Sequence, residues 1–399
     1  MDTTVIATFE KLSKRLIDNT SLAFRRDLYH TINFDARLVL LRGFRGVGKT
    51  TLLLQYVKEA STPDRAIFLS LEHMHFLTHT ISNTIEYLYV VGYRTIILDE
   101  VHRYPTWSRE LKYIYDHYPD LHILATSSSA LDILSGEADL SRRADSYRMD
   151  GLSFREYLRY SHDIDIPAIA MSDMLSEHAS IMDDYYDKYD LGKHLSTYLR
   201  KGYYPYHKEA GRKYSERLLA VLHQVIDVDL PSVYRIDYET ARMVKRLLVV
   251  IARITPFTPN ISKLSRDLGI SRVSILSYLD YLDSADVITT LKSGRKSDAA
   301  TTKPDKILLD NTNLLYALEA KPNVGTIRET FVTNALSRHM EVSIPAKGDL
   351  LVDQTYSVEI GGPNKTFKQL LDMPNPVLIK DGIIHGADGI LPMWMIGLL

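Results

Sequence analysis

Gly43-Phe44-Arg45-Gly46-Val47-Gly48-Lys49-Thr50 fits the pattern G-x-x-x-x-G-K-[ST]. Such a loop cradles phosphates with backbone N–H groups, while its lysine reaches the β/γ-phosphates and its hydroxyl sits on Mg²⁺. The flanking residues agree. Arg37-Leu38-Val39-Leu40-Leu41-Arg42 reads as a short buried strand entering the loop, and Thr50-Thr51-Leu52-Leu53-Leu54-Gln55-Tyr56-Val57 as a helix leaving it. Strand, glycine loop and helix start put the positive end of a helix dipole beneath an anion. The expected phosphate-binding residues are Gly43, Arg45, Gly46, Val47, Gly48, Lys49, Thr50 and Thr51.

Thr95-Ile96-Ile97-Leu98-Asp99-Glu100 supplies the other half of the site: a strand pattern ending in two carboxylates. In an open α/β sheet the carboxyl ends of parallel strands are where ligands bind. Asp99, with Thr50, is assigned to Mg²⁺, and Glu100 to polarising the attacking water, since phosphoryl transfer demands positioning and charge stabilisation. A further strand, Leu121 to Thr126, ends in Thr126-Ser127-Ser128-Ser129 beside these carboxylates. Thr126 or Ser128 would orient water or touch the γ-phosphate; the same residues could instead cap the helix that follows. No guanine-specifying Asn-Lys signature stands in a matching position, so ATP is the expected nucleotide.

Composition narrows the class. The chain has 399 residues, a formal charge of −2 and no cysteine. That length predicts more than one domain. The balanced charge confines any nucleic-acid contact to a local patch, and the missing cysteines exclude disulfides, thiolate zinc sites and cysteine catalysis. The first ten residues lack a signal-peptide pattern, and no window is apolar enough for a membrane span. A cytoplasmic protein is expected.

Strand and helix signals alternate from Phe9 to Tyr160, with further strands at Ala66 to Ser70 and Leu121 to Thr126, and a helix whose apolar positions are Trp107, Leu111, Ile114 and Tyr115. Alternation of this kind implies a parallel sheet with helices on both faces. Four stretches, GFRGVGKTTLLLQ, IILDEVHRYPTWSRELKYIYD, ILATSSSALDIL and SRRADSYRMDGLSFREYL, resemble in order the nucleotide loop, metal strand, polar sensor and closing arginine motif of the AAA+ superfamily. Within it, the chain is similar to bacterial and archaeal predicted ATPases with a C-terminal domain of unknown function. The resemblance implies a Mg²⁺-dependent ATPase, points to Arg142 or Arg143 as the arginine that stabilises the transition state, and implies homo-oligomers in which that arginine acts from the same chain or a neighbour. Where the family commonly has threonine-glycine-serine at the sensor, this chain has Thr126-Ser127-Ser128.

Beyond Ser161 tyrosine-rich helical patterns take over, broken at Gly202-Tyr203-Tyr204-Pro205-Tyr206 and bounded at Asp229-Leu230-Pro231. This reads as a helical lid or connector whose tyrosines pack with wet tips. Ile261 to Ser271 then gives a short helix, a glycine turn and a new helix start, the spacing of a helix-turn-helix. Its second helix, Arg272 to Leu282, aligns Ile275, Leu276, Leu279 and Leu282. Strand patterns at Val287 to Leu291 and Lys306 to Asp310 flank a basic turn shaped like a wing. Arg272, Lys292, Arg295 and Lys296 could hold the phosphates of double-stranded DNA; winged helices equally serve as protein connectors.

From Gly325 onward a small α/β unit is expected. In relatives of the family this region resembles a degraded restriction-endonuclease fold. The corresponding residues here are Glu329, Asp349 or Asp353, and Glu359, but Gly361 stands where the E-x-K lysine belongs, so Lys365 or Lys368 would have to replace it for nuclease chemistry. The expected architecture is α/β: a P-loop NTPase parallel sheet over 1–160, a helical lid over 161–238, a winged helix-turn-helix over 239–320 and a nuclease-like α/β domain over 321–399. A nucleotide-switched DNA-binding regulator with slow turnover is the alternative to a partner-coupled ATPase, and a metal-dependent nuclease the third reading.

Overall fold

The computed structural model describes residues 3–60, 65–127, 140, 142–293, 303–319 and 321–399. They form two compact units, each assembled from two pieces of chain: 1–151 with 224–241, and 152–223 with 242–399.

The first unit is built on a five-stranded sheet. Its strands are β1 (Leu38–Arg42), β2 (Ala66–Ser70), β3 (Thr95–Asp99), β4 (His122–Ser127) and β5 (Asp145–Arg148), in the order β2-β3-β4-β1-β5. Every pairing is parallel. The central strands are apolar at nearly every position because helices cover both faces. One face carries Leu38, Leu40, Ile67, Leu69, Ile96, Leu98, Ile123 and Ala125 in a single core. That core also takes Ile6 and Phe9 of helix α1 (Thr3–Asn19), and residues of two later helices, Ile81 to Leu88 and Trp107 to Ile114. The opposite face, with Val39, Leu41, Ile97 and Leu124, is equally buried.

Helix α2 (Lys49–Glu59) leaves the glycine loop with Gly48 as its N-cap, at φ 104°. A side chain at that backbone angle would be strained, which glycine avoids. At Gly43 the constraint is closeness, because an added Cβ would lie 2.2 Å from the Met149 carbonyl oxygen.

The second unit contains a mixed sheet of β8 (Val342–Ser343), β9 (Leu350–Val352), β10 (Tyr356–Gly361), β11 (Pro376–Lys380) and β12 (Ile390–Pro392), ordered β12-β11-β10-β9-β8. β10, β11 and β12 run parallel, while β9 pairs antiparallel with both β8 and β10. Helices Ile261–Leu268 and Arg272–Ser284 are joined through Gly269, in the left-handed region at φ 71°, and the Ser271 hydroxyl caps the second helix on Ser274 N–H. An antiparallel pair follows, β6 (Ile288–Leu291) with β7 (Lys306–Leu309).

The tyrosine run differs from expectation. Tyr203 and Tyr204 are buried, and Asn313 takes the polar groups around them: its Nδ2 donates to the carbonyls of Tyr198 and Leu199, and its Oδ1 accepts from Tyr203 N–H and the Tyr214 hydroxyl. The asparagine amide is thus saturated by protein partners, so these tyrosines pack around a buried polar point.

Candidate nucleotide site

Strand order places the site. β4 lies between β1 and β3, so Thr126 at its end stands between the glycine loop and Asp99. Asp99 Oδ1 accepts two hydroxyl hydrogen bonds, from Thr50 and from Thr126, each at 2.7 Å. The Thr126 hydroxyl in turn accepts the Glu100 N–H at 2.9 Å. Glu100 itself stands in the left-handed region, at φ 59° and ψ 49°. That conformation is strained by about 1–2 kcal/mol for a residue with a Cβ, and the Thr126 bond holds it.

Lys49 is buried, with its ammonium on the carbonyl oxygens of Gly43 at 2.7 Å and Phe44 at 3.2 Å. Burial pushes its pKa below the ordinary lysine value, against the pull of Glu100, Asp99 and Asp229. Burial likewise pushes the Asp99 carboxyl up, against its bonds from Thr50 and Thr126 and with the nearby Glu100 charge adding to the rise. The loop is anchored from beneath by Arg26, a buried guanidinium that donates to the carbonyls of Val47, Asp150 and Gly151 at 2.8 to 2.9 Å.

Residues 35–158 match the family of the AAA domain, and residues 192–324 match a domain of unknown function. The chain carries an AAA domain. An uncharacterised protein of Methanocaldococcus jannaschii is 26% identical over 417 aligned residues, which cover 96% of this chain and 87% of its own. Among solved structures, AMPPCP-bound DnaA from Aquifex aeolicus is similar with a TM-score of 0.27 at 13% identity, over 69% of this chain and 88% of that one. The Aeropyrum pernix ORC1 protein in complex with DNA is similar with a TM-score of 0.31 at 12% identity, over 78% of this chain and 92% of that one. The AAA domain, its parallel sheet and its glycine loop together make this an ATP-binding protein. Among the described residues no helix is long and apolar enough to cross a membrane.

Glu100 belongs to an ionisable cluster of the AAA domain, four of whose members, Glu72, His102, Arg103 and Asp229, sequence reasoning passed over. Glu100 Oε2 lies 3.4 Å from His102 Nε2 and 4.0 Å from Arg45 Nη1. Asp229, from the returning segment 224–241, lies 3.4 Å from Arg45 and 3.0 Å from Arg103. Glu72 pairs with the same two arginines, at 3.3 and 3.2 Å. Burial works against the Arg45 guanidinium, but Glu100, Asp229 and Glu72 outweigh it and hold its pKa above the ordinary value. His102 and Arg103 were visible as a basic pair one residue beyond Asp99-Glu100, after Val101. Asp229 had no local signal beyond its Leu-Pro neighbours.

The remaining expected residues are placed as follows. Thr51 and Gly46 are exposed beside the loop, and Val47 is buried beneath it. Arg143 forks onto Asp116 at 2.9 and 3.1 Å, while Arg142 is exposed. Ser128, Arg295 and Lys296 lie outside the described residues. Arg272 and Lys292 are exposed, and the Lys292 carbonyl accepts Ile344 N–H, which ties the end of β6 to the chain beside β8.

In the second unit Glu329, Asp349 and Glu359 do come together, but with two lysines among them. Lys306 is ion-paired with Glu329 and lies 3.9 Å from Asp349, and Lys365 is paired with the buried Glu359. Lys365, rather than Lys368, therefore stands on the E-x-K glutamate. Asp353 sits apart, in a turn where it accepts Glu341 N–H. Among the described residues no set of three or more His, Cys, Asp or Glu side chains is arranged to hold a metal ion. Lys365 thus stands where the missing E-x-K lysine would be needed, while Lys306 occupies Glu329.

Proposed function

We propose that the AAA domain hydrolyses ATP with Mg²⁺ and that this turnover is coupled to a partner bound by the rest of the chain. The observation that carries the reading is the hydrogen-bonded run Thr50–Asp99–Thr126–Glu100 at the carboxyl edge of the sheet. Thr50 and Asp99 offer the hard oxygen donors that Mg²⁺ prefers, and bound there the ion would neutralise charge on the β- and γ-phosphates. Lys49 reaches the same phosphates from the buried side of the loop. The dipole of α2 favours the anion at the loop, through backbone N–H groups that need no side chain. Glu100 orients the attacking water, Thr126 holds the Asp99 carboxylate and the Glu100 backbone at once, and Arg142 or Arg143 stabilises the transition state in the same chain or in an oligomer.

Glu100→Gln should keep ATP binding and lower turnover by at least about a hundredfold, read as steady-state phosphate release beside binding of a fluorescent ATP analogue. Turnover by the variant equal to the parent's would remove Glu100 from the mechanism. The partner is either double-stranded DNA, held on phosphates by Arg272, Lys292, Arg295 and Lys296, or a protein. Repeating the assay with duplex DNA separates them: stimulation supports a DNA-coupled machine, whereas slow turnover indifferent to DNA supports a nucleotide-switched binder of a protein partner.

A further inference from the structure

Asp229 is among the most deeply buried carboxylates of the first unit, with its side chain 2% exposed. It lies in one turn of π-helix, Val225–Asp229, an irregularity that often marks functional positions. Two guanidiniums and an imidazole face it: Arg45 from the glycine loop, and Arg103 and His102 from the turn after β3. Two of the three, Arg45 and His102, also face Glu100. The same nitrogen, Arg45 Nη1, lies 3.4 Å from Asp229 and 4.0 Å from Glu100. The other anion in the network, Glu72, is 44% exposed and correspondingly screened.

Electrostatics dictates what this arrangement does. A glutamate that must orient water is weakened when an arginine and a histidine claim its oxygens. A second, buried carboxylate shares the Arg45 guanidinium and the His102 ring with Glu100 and so loosens their hold on it. We propose that Asp229 is a positioning residue for ATP hydrolysis, which holds Arg45, His102 and Arg103 so that Glu100 stays available to water. The proposal rests on the ATPase reading above. Asp229 pairs with Arg45 and Arg103 and acts on Lys49 through charge alone, so its larger effect falls on turnover and a smaller one on phosphate binding. Its segment is also continuous at both ends with the second unit, at His223 and at Arg242. Whatever shifts that segment shifts the glutamate's neighbours.

The test compares Asp229→Asn, which keeps shape and removes charge, with Asp229→Glu, which restores charge. Steady-state ATP hydrolysis is measured together with the Kd of a fluorescent ATP analogue on the full chain. Asp229→Asn should lower kcat on the order of 10–100-fold, as loss of an outer-shell partner does, with Kd changed less than about threefold by the same division of roles. Asp229→Glu should recover part of the loss. Should Asp229→Asn not fold, Arg103→Gln, which leaves Asp229 to Arg45 and His102, is expected to hold or raise kcat, and a tenfold fall in a folded Arg103→Gln variant overturns the proposal. A parent that hydrolyses ATP alongside a folded variant with unchanged kcat overturns the proposal alone, as does a variant that raises KM and spares kcat. A parent without turnover overturns the ATPase reading and this proposal together.

Discussion

Asp99 does its work at the expense of the fold around it. Its carboxyl is buried, and its raised pKa means that the ionised form is less stable in the folded protein than in the unfolded chain. The folded state therefore holds the proton to higher pH than the unfolded one. Stability from this group is greatest below the ordinary carboxylate range, falls as pH climbs toward the raised value, and stays low above it. Asp99→Asn should accordingly raise Tm at neutral pH, by a gain of about 1 kcal/mol typical of relieved functional sites, and flatten that part of the pH–stability curve. Turnover supported by Mg²⁺ should vanish in the same variant. A Tm unchanged or lowered across pH 5 to 8 would contradict the burial argument. Lys49, buried as an ammonium, is the cationic counterpart.

At the scale of elements, legibility followed from how local each signal is. The glycine loop, β1, β3 and the helix start could be read because a phosphate site is built from adjacent residues, and the sheet order then puts Thr126 next to Asp99. Arg26 could not be read: its partners, Val47, Asp150 and Gly151, are backbone carbonyls and leave no side-chain pattern. Nor could the tyrosine run. Tyr203 and Tyr204 look amphipathic in sequence, and only the fold brings Asn313 to Tyr203 and Asn311 to Tyr204, each from more than a hundred residues away. Removing the Asn313 amide takes a donor from the Leu199 and Tyr198 carbonyls and an acceptor from the Tyr203 N–H and the Tyr214 hydroxyl in a buried setting, with the Tyr198 carbonyl keeping the Gly202 N–H. Asn313→Ala should destabilise the protein by about 3–5 kcal/mol, measured as a shift of the denaturant midpoint, and a loss under about 1 kcal/mol would show that water replaces the amide.

At the scale of the whole molecule, the expected helical connector hides a division that composition does not reveal. Residues 224–241 belong with the AAA domain although 72 residues of the second unit, 152–223, intervene. They supply Asp229 to the arginines, and Val233 packs against the first unit's core. A fragment ending at residue 151 should therefore be less stable than one ending at residue 241, by about 2 kcal/mol or more if the buried arginine pairs lose their carboxylate. Thermal melts of the two fragments check this. Equal Tm values would mean that the returning segment is dispensable for folding.

The separation of Arg45 from Asp229, 184 residues along the chain, has a consequence in time. A ribosome adding roughly 5–20 residues per second exposes the glycine loop roughly 10–40 s before the carboxylate that completes its charge network has been made. Through that interval the nascent sheet carries its arginines without their buried counterion, and the second unit's leading helices emerge first. Completion of the charge network beside the glycine loop is thus a late event of synthesis, timed by chain order.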